Sequence, residues 1–161
     1  MQFSKSTDYA LHALVHLGHS ERCHNVGIKE LSSALSVSES YLSKTLSKLR
    51  QDGILRAVPG VNGGYELARP ADQITFLDVI QAIEGRQQLF RCSNSSSQQH
   101  RLLAEDEATL QDQKNLGTNG CLIEKVMYGA EQHLYQYLRE QTIQSLLDEA
   151  FKRCNHEANK K

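Results

Sequence analysis

The most reactive side chains in this sequence are four cysteines, Cys23, Cys92, Cys121 and Cys154. Cys92 and Cys121 flank a polar, Ser/Gln-rich stretch. Arg91 adjoins Cys92 and Arg86 lies close by, a setting that favours the thiolate. A thiolate is the form that an oxidant attacks, and a second thiol within reach closes a disulfide. The pair therefore suits a redox switch, with Cys92 oxidised and Cys121, or a cysteine of another subunit, resolving it. Cys23-His24 has no spaced partners of the kind a zinc site needs, so Cys23 and Cys154 are expected to be incidental. His12 and His16 lie four apart but lack a third ligand nearby. No phosphate loop, nucleophile–base motif or complete metal motif is present, and an enzyme is not expected.

A second set of residues has the chemistry of DNA contact. In the segment Glu39 to Gln51, Leu42, Leu46 and Leu49 share one helical stripe. Tyr41, Lys44 and Lys48 lie on another side, with Ser40 and Ser47 beside them. Such a face is small, hydroxyl-bearing and basic, which suits a major groove. An ordinary solvated helix has a polar outer face too, so the surroundings decide. Ser38 is placed to cap this helix, after an amphipathic segment Ile28 to Leu35 and a tight turn Ser36-Val37-Ser38. Two short alternating runs follow, Ile54 to Val58 and Tyr65 to Ala68, separated by a Gly/Asn-rich turn. Helix, turn, helix, hairpin is the order of a winged helix-turn-helix. Arg56 on the first strand and Arg69 just past the second add positive charge.

Further elements must hold these groups. Ser6 to Leu17 reads as a helix ended by Gly18. Thr75-Phe76-Leu77-Asp78 resembles a capping box, and its helix, with the stripe Phe76, Val79, Ile80 and Ile83, stops at Gly85. Residues 86–120 read as a long flexible loop with a helical turn or more around Leu102 to Leu110. From Cys121 a long helix carries Ile123, Val126, Met127, Ala130, Leu134, Tyr137 and Leu138 on one face, which needs a partner surface; an identical helix from a second subunit can supply it. Thr142 restarts a shorter helix bearing Ile143, Leu146, Leu147, Ala150 and Phe151. The expected fold is mainly α: a winged helix-turn-helix domain over 1–85 with a two-stranded wing, a sensor loop over 86–120, and a dimerisation helix with a short C-terminal helix over 121–154.

Charge and composition are compatible with that division. The net charge is −1, but residues 1–70 carry +2 and residues 71–161 carry −3. A slightly basic front and an acidic rear suit a DNA reader with a separate assembly or sensing part. With no apolar run of about 18 residues and no uninterrupted apolar core near the N-terminus, a cytoplasmic protein without membrane contact is expected, its cysteines thiols by default.

The runs TDYALHALVHL, SVSESYLSKTLSKLRQDGIL, GVNGGYELARP and ITFLDVIQAIEG, in this order, resemble the Rrf-two family of bacterial winged helix-turn-helix transcription regulators. That group includes iron–sulfur cluster regulators, nitric-oxide sensors and cysteine-metabolism repressors. The resemblance covers residues 1–92 and, more loosely, 120–150. It implies a homodimeric winged-helix protein whose two reading helices enter successive major grooves of a pseudo-palindromic operator; a repressor is expected, with operator binding controlled by oxidation at Cys92. The positions matching the family's DNA-contacting helix and wing are Ser38, Ser40, Tyr41, Lys44, Thr45, Lys48, Arg56, Asn62 and Gly63. Many members hold an iron–sulfur cluster on three cysteines; Cys92 matches the first and Cys121 the last. The middle one is missing, since residues 93–120 contain no Cys. Asp8 falls where some nitric-oxide sensors place a carboxylate ligand from the partner subunit, so Cys92, Cys121 and Asp8 form the alternative, cluster-binding set. His100 is a conceivable substitute ligand, although nothing in its sequence setting argues for it. A redox-insensitive repressor and an interaction module that kept the fold without binding DNA complete the alternatives.

Overall fold

The structure, a computed structural model, describes residues 2–20, 25–60, 63–86, 88–104 and 121–158, with side chains through 152. It divides into two compact units. One, the head, comprises residues 1–86 with 138–161; the other comprises 87–137.

The head begins with α1 (Lys5–Ser20), α2 (Ile28–Ala34) and α3 (Glu39–Gln51). Ser36 between α2 and α3 takes a positive φ of 51°, which makes the turn tight. Ser38 caps α3, its hydroxyl accepting from the Tyr41 amide. Strands β1 (Leu55–Val58) and β2 (Gly64–Leu67) form an antiparallel hairpin, with Leu55 opposite Leu67 and Arg56 opposite Glu66. Val26 adds an isolated bridge to Tyr65 on the far edge of β2. That bridge explains Gly64: a Cβ there would lie 2.5 Å from the Val26 carbonyl oxygen. Ile54, immediately before β1, is buried along with Leu55, and Arg56 and Ala57 are both exposed, so the alternation expected over Ile54 to Val58 is absent.

Helix α4 (Phe76–Glu84) opens on the capping box: Thr75 Oγ1 accepts from the Asp78 amide, and Asp78 accepts from the Thr75 amide. Gly85 ends it at φ 89°. The core joins Leu14 and Leu17 of α1, Leu31 of α2, Leu42, Leu46 and Leu49 of α3, Leu55 and Leu67 of the hairpin, and Ile74 and Val79 around α4. Burial of that apolar surface is the main stabilising term.

Two expectations are corrected here. Gly18 does not end α1, which runs on to Ser20. A Cβ at Gly18 would lie 2.8 Å from Leu147 Cδ1, so the glycine admits the last helix, α7 (Ile143–Ala158), at close range. That helix, at 16 residues, is shorter than the 19-residue helix before it, as expected, but it belongs to the head rather than to a separate C-terminal part. Ile143 and Leu147 enter the head core. Backbone bonds fix its start, Ile143 N–H to Ile74 O and Phe76 N–H to Gln141 O, both 2.9 Å.

The second unit holds α5 (Gln98–Leu102) and most of α6 (Leu122–Glu140). A short helix at 98–102 precedes the stretch Leu102 to Leu110 where a helical turn is expected; residues 105–120, which include most of that stretch, lie outside the described residues. Helix α6 reverses the usual amphipathic rule. Glu124 and Glu131 are its buried residues, while Val126 is 72% exposed and Leu122, Ile123, Met127 and Tyr137 are exposed too. No described helix is long and apolar enough to cross a membrane.

Candidate nucleic-acid interface and a cysteine–histidine centre

Helix α3 turns Leu42, Leu46 and Leu49 into the core and leaves Ser40, Lys44, Ser47, Lys48 and Arg50 exposed. Thr45 is a correction to the expected contact set. It is 3% exposed, and its hydroxyl donates to the Tyr41 carbonyl one turn back. Position 45 sits beside 42 and 49 on a stripe wider than leucines alone mark, so it packs rather than reads.

Two other expected contacts also have partners within the head. The Tyr41 hydroxyl shares a 2.8 Å hydrogen bond with Ser6 Oγ, and its ring meets Tyr9 edge-on. The Lys48 ammonium donates to the Ile83 carbonyl at 2.8 Å, near the end of α4. Beside it, Glu84 accepts from the Ser4 amide at 2.8 Å and from the Thr7 hydroxyl. Burial pushes its carboxyl pKa up, but those bonds and the Lys48 charge outweigh burial and hold it below the usual value. Lys48 thus helps fix α3 against α4 and α1. On the wing, Arg56 pairs with Glu66 across the ladder and stays exposed. Gly63 lies where a Cβ would strike the carbonyl oxygens of Val58 and Gly60, so the wing turn closes only on glycine. Asn62 lies outside the described residues.

Arg50 and Gln51, which the sequence reading left out, line an open cleft of about 530 Å³ with Ser47, Leu55, Arg56 and Ala57. Among the described residues two guanidinium groups line it, that of Arg56 paired with Glu66 and that of Arg50 beside it, a composition that suits phosphate. The signal for Arg50 was available in sequence as a cation in the last turn of α3.

The second unit gathers a different chemistry. Cys92 Sγ lies 3.5 Å from His100 Nδ1. With Cys121 Sγ, these donor atoms all fall within 4.8 Å of one another. Ser97 caps α5 by accepting from the His100 amide at 3.0 Å, which orients that residue. Cys121 is brought in by a bridge to Ala104 and by Leu122 N–H bonding to Leu103 O at 3.0 Å. It is buried, whereas Cys92 is half-buried. The buried carboxylate of Glu124 accepts from the Cys92 amide at 3.4 Å. Cys92 and Cys121 are free thiols.

His100 is the residue the sequence reading undervalued. Its part in the cluster depends on the Ser97 cap and on the return of the chain at 104–121, neither of which spacing reveals. Asp8, expected as a ligand only across subunits, lies in the head and pairs with His12 in its own helix at 3.1 Å. Cys23 and the Cys154 side chain lie outside the described residues. Farther along α6, the Tyr135 phenol is pushed up to about 12, first by burial and then by its hydrogen bond to Glu131 and that carboxylate's charge.

A family model described as an iron-dependent transcriptional regulator, Rrf2, matches residues 3–149. Among curated proteins, the HTH-type regulator YwgB of Bacillus subtilis is 32% identical over 118 residues, 73% of this chain and 66% of that protein. The regulator IscR of Cereibacter sphaeroides is 38% identical over 86 residues, 52% of this chain and 56% of that protein. The chain thus spans somewhat less than two thirds of the length of these relatives. Among solved structures, the B. subtilis cysteine regulator CymR superposes with a TM-score of 0.65 at 22% identity, covering 92% of this chain and 97% of that one. The IscR of T. potens gives 0.62 at 20% identity, covering 93% and 88%. These two likenesses concern the fold. The match along 3–149 decides the family: the chain belongs to the Rrf2 family of transcriptional regulators.

Proposed function

We propose that this chain is a homodimeric, sequence-specific DNA-binding regulator whose operator affinity is set by the oxidation state of Cys92. The carrying observation is the convergence of Cys92, His100 and Cys121 at the N-terminal end of α6. A thiol beside an imidazole and a second thiol is the arrangement that oxidation needs. In the proposed step, Cys92 attacks one oxygen of hydrogen peroxide as the thiolate, its proton having passed to solvent, giving a sulfenic acid and hydroxide, which becomes water on protonation. The Cys121 thiol then displaces the second hydroxide, as water, to form the disulfide. Two thiols and one peroxide thus become one disulfide and two waters.

The apolar outer face of α6 supports assembly on a second copy. Val126, Ile123 and Met127 are exposed while carboxylates are turned inward, and a two-fold contact buries such a face on both chains at once. DNA reading falls to Ser40, Lys44, Arg50 and Arg56, with Gly63 at the wing turn. Two reading helices must stand about 34–36 Å apart to enter successive major grooves, so a strained α6 would weaken binding.

The test begins with duplexes selected from a random pool by the reduced protein. Selected sites are expected to be inverted repeats, and binding is expected to fall on peroxide treatment and recover with dithiothreitol. Absence of any selected site refutes DNA reading. Unchanged peroxide sensitivity in Cys92→Ser refutes control at Cys92. An iron–sulfur cluster is the second reading. The description of the family model motivates it, and His100 now offers a third donor beside Cys92 and Cys121.

A further inference from the structure

We propose that Cys92, His100 and Cys121 hold a single tetrahedral zinc ion rather than a cluster. The argument is one of size. Zinc binds thiolate sulfur at about 2.3 Å and imidazole nitrogen at about 2.0–2.1 Å; at tetrahedral angles this sets sulfur and nitrogen roughly 3.5 Å apart and two sulfurs roughly 3.8 Å apart. The Cys92 Sγ–His100 Nδ1 separation is 3.5 Å, and all three donors lie within 4.8 Å of one another. These separations admit a single ion among the three. A two-iron cluster distributes its protein ligands in pairs over two irons, so any three of them include two that sit on different metals and stand farther apart.

The donor set agrees. Two soft thiolates with one imidazole suit zinc and disfavour hard ions such as magnesium or calcium; the choice against a cluster rests on the separations. The surroundings supply the supporting shell that fixes ligands. Glu124 holds the Cys92 backbone, the Ser97 cap holds the His100 backbone, and the 104–121 bridge holds Cys121. Three protein ligands leave the fourth position to solvent, the form of a zinc site that keeps its chemistry accessible. Cys92, half-buried, is then both a ligand and the thiolate that an oxidant reaches first.

This proposal rests on the reading of the centre as the control point, and its test is read without DNA. The full chain is purified anaerobically, its metal content and acid-labile sulfide are measured, and the metal-free chain is titrated with cobalt(II). One zinc per chain is expected, with no sulfide, and cobalt should give the visible bands of a tetrahedral thiolate site. His100→Ala and Cys92→Ser should each weaken cobalt binding by about tenfold or more, and His12→Ala should leave it unchanged. His100→Ala avoids the folding risk of replacing buried Cys121. Iron with matching sulfide overturns the proposal in favour of a cluster. So does a chain of normal helicity that takes up no cobalt. If that chain still loses operator binding on peroxide, the zinc proposal falls and thiol control stands. One zinc bound by a chain indifferent to peroxide supports the site and overturns the control reading.

Discussion

Replacing Ile143 by alanine tests whether the last helix is part of the head. Ile143 is 0% exposed, and its amide donates to the Ile74 carbonyl. The substitution removes three buried carbons, worth about 0.8 kcal/mol each on transfer. The cavity left among Leu147 and its neighbours raises the expected loss to roughly 3–4 kcal/mol. For a domain with about 5–15 kcal/mol of total stability, that is a large fraction. The assay is urea unfolding followed by circular dichroism. The midpoint should fall while the slope stays constant, since the same surface is exposed on unfolding. Leu102→Ala is the comparison: that side chain is 84% exposed, and its loss should stay within about 0.5 kcal/mol. If Ile143→Ala costs no more than Leu102→Ala, the return of α7 into the head is refuted.

Lys44→Ala should lower the salt slope of operator binding by about one phosphate contact, whereas Thr45→Ala should leave the slope alone and cost about 1 kcal/mol of stability; anisotropy titrations over a salt series separate the two. Gly64→Ala forces a Cβ onto the Val26 backbone, so the Val26–Tyr65 bridge should break. Operator affinity should then fall in anisotropy titrations while far-UV circular dichroism stays near native. Glu84 has a folded pKa below its ordinary 4.5. Its contribution is therefore present above that value and lost as pH falls through the folded one. The stability gap between the parent chain and Glu84→Gln, measured by urea unfolding, should close as the pH falls below 4.5, and should not exceed about 1 kcal/mol because the site is exposed.

Much of the head was legible because its signals are local. Ser38 and the leucine stripe define α3 at both ends, and the Thr75–Asp78 box starts α4. The misreadings have a common cause: they depend on what another element does. Gly18 has the residue type of a terminator, yet the space it leaves is filled by Leu147. Thr45 has a contact residue's chemistry, but the packing stripe is wide enough to enclose it. The reach of α7 into the core is set by Ile74, some seventy residues earlier in the chain. His100 is the sharpest case. Its separation from Cys92 and Cys121 follows no regular period, and only the capped turn at Ser97 and the return at Ala104 bring the three together.

The entry of Ile143 and Leu147 into the core bears on how the protein is made. A ribosome delivers α1 to α4 first, then the segment bearing Cys92, His100 and Cys121, and only afterwards the helix that completes the head. Until residues beyond 140 emerge, Gly18 lacks Leu147, the Ile74 carbonyl lacks the Ile143 amide, and the exposed face of α3 rests on an unfinished core. Domains generally fold as units during synthesis; here the unit spans the cysteine–histidine segment in time. A nascent regulator therefore acquires a finished reading head only after its cysteine–histidine segment has been synthesised. Under the proposed function, order of synthesis alone thus keeps a head without its cysteine–histidine centre from competing for DNA.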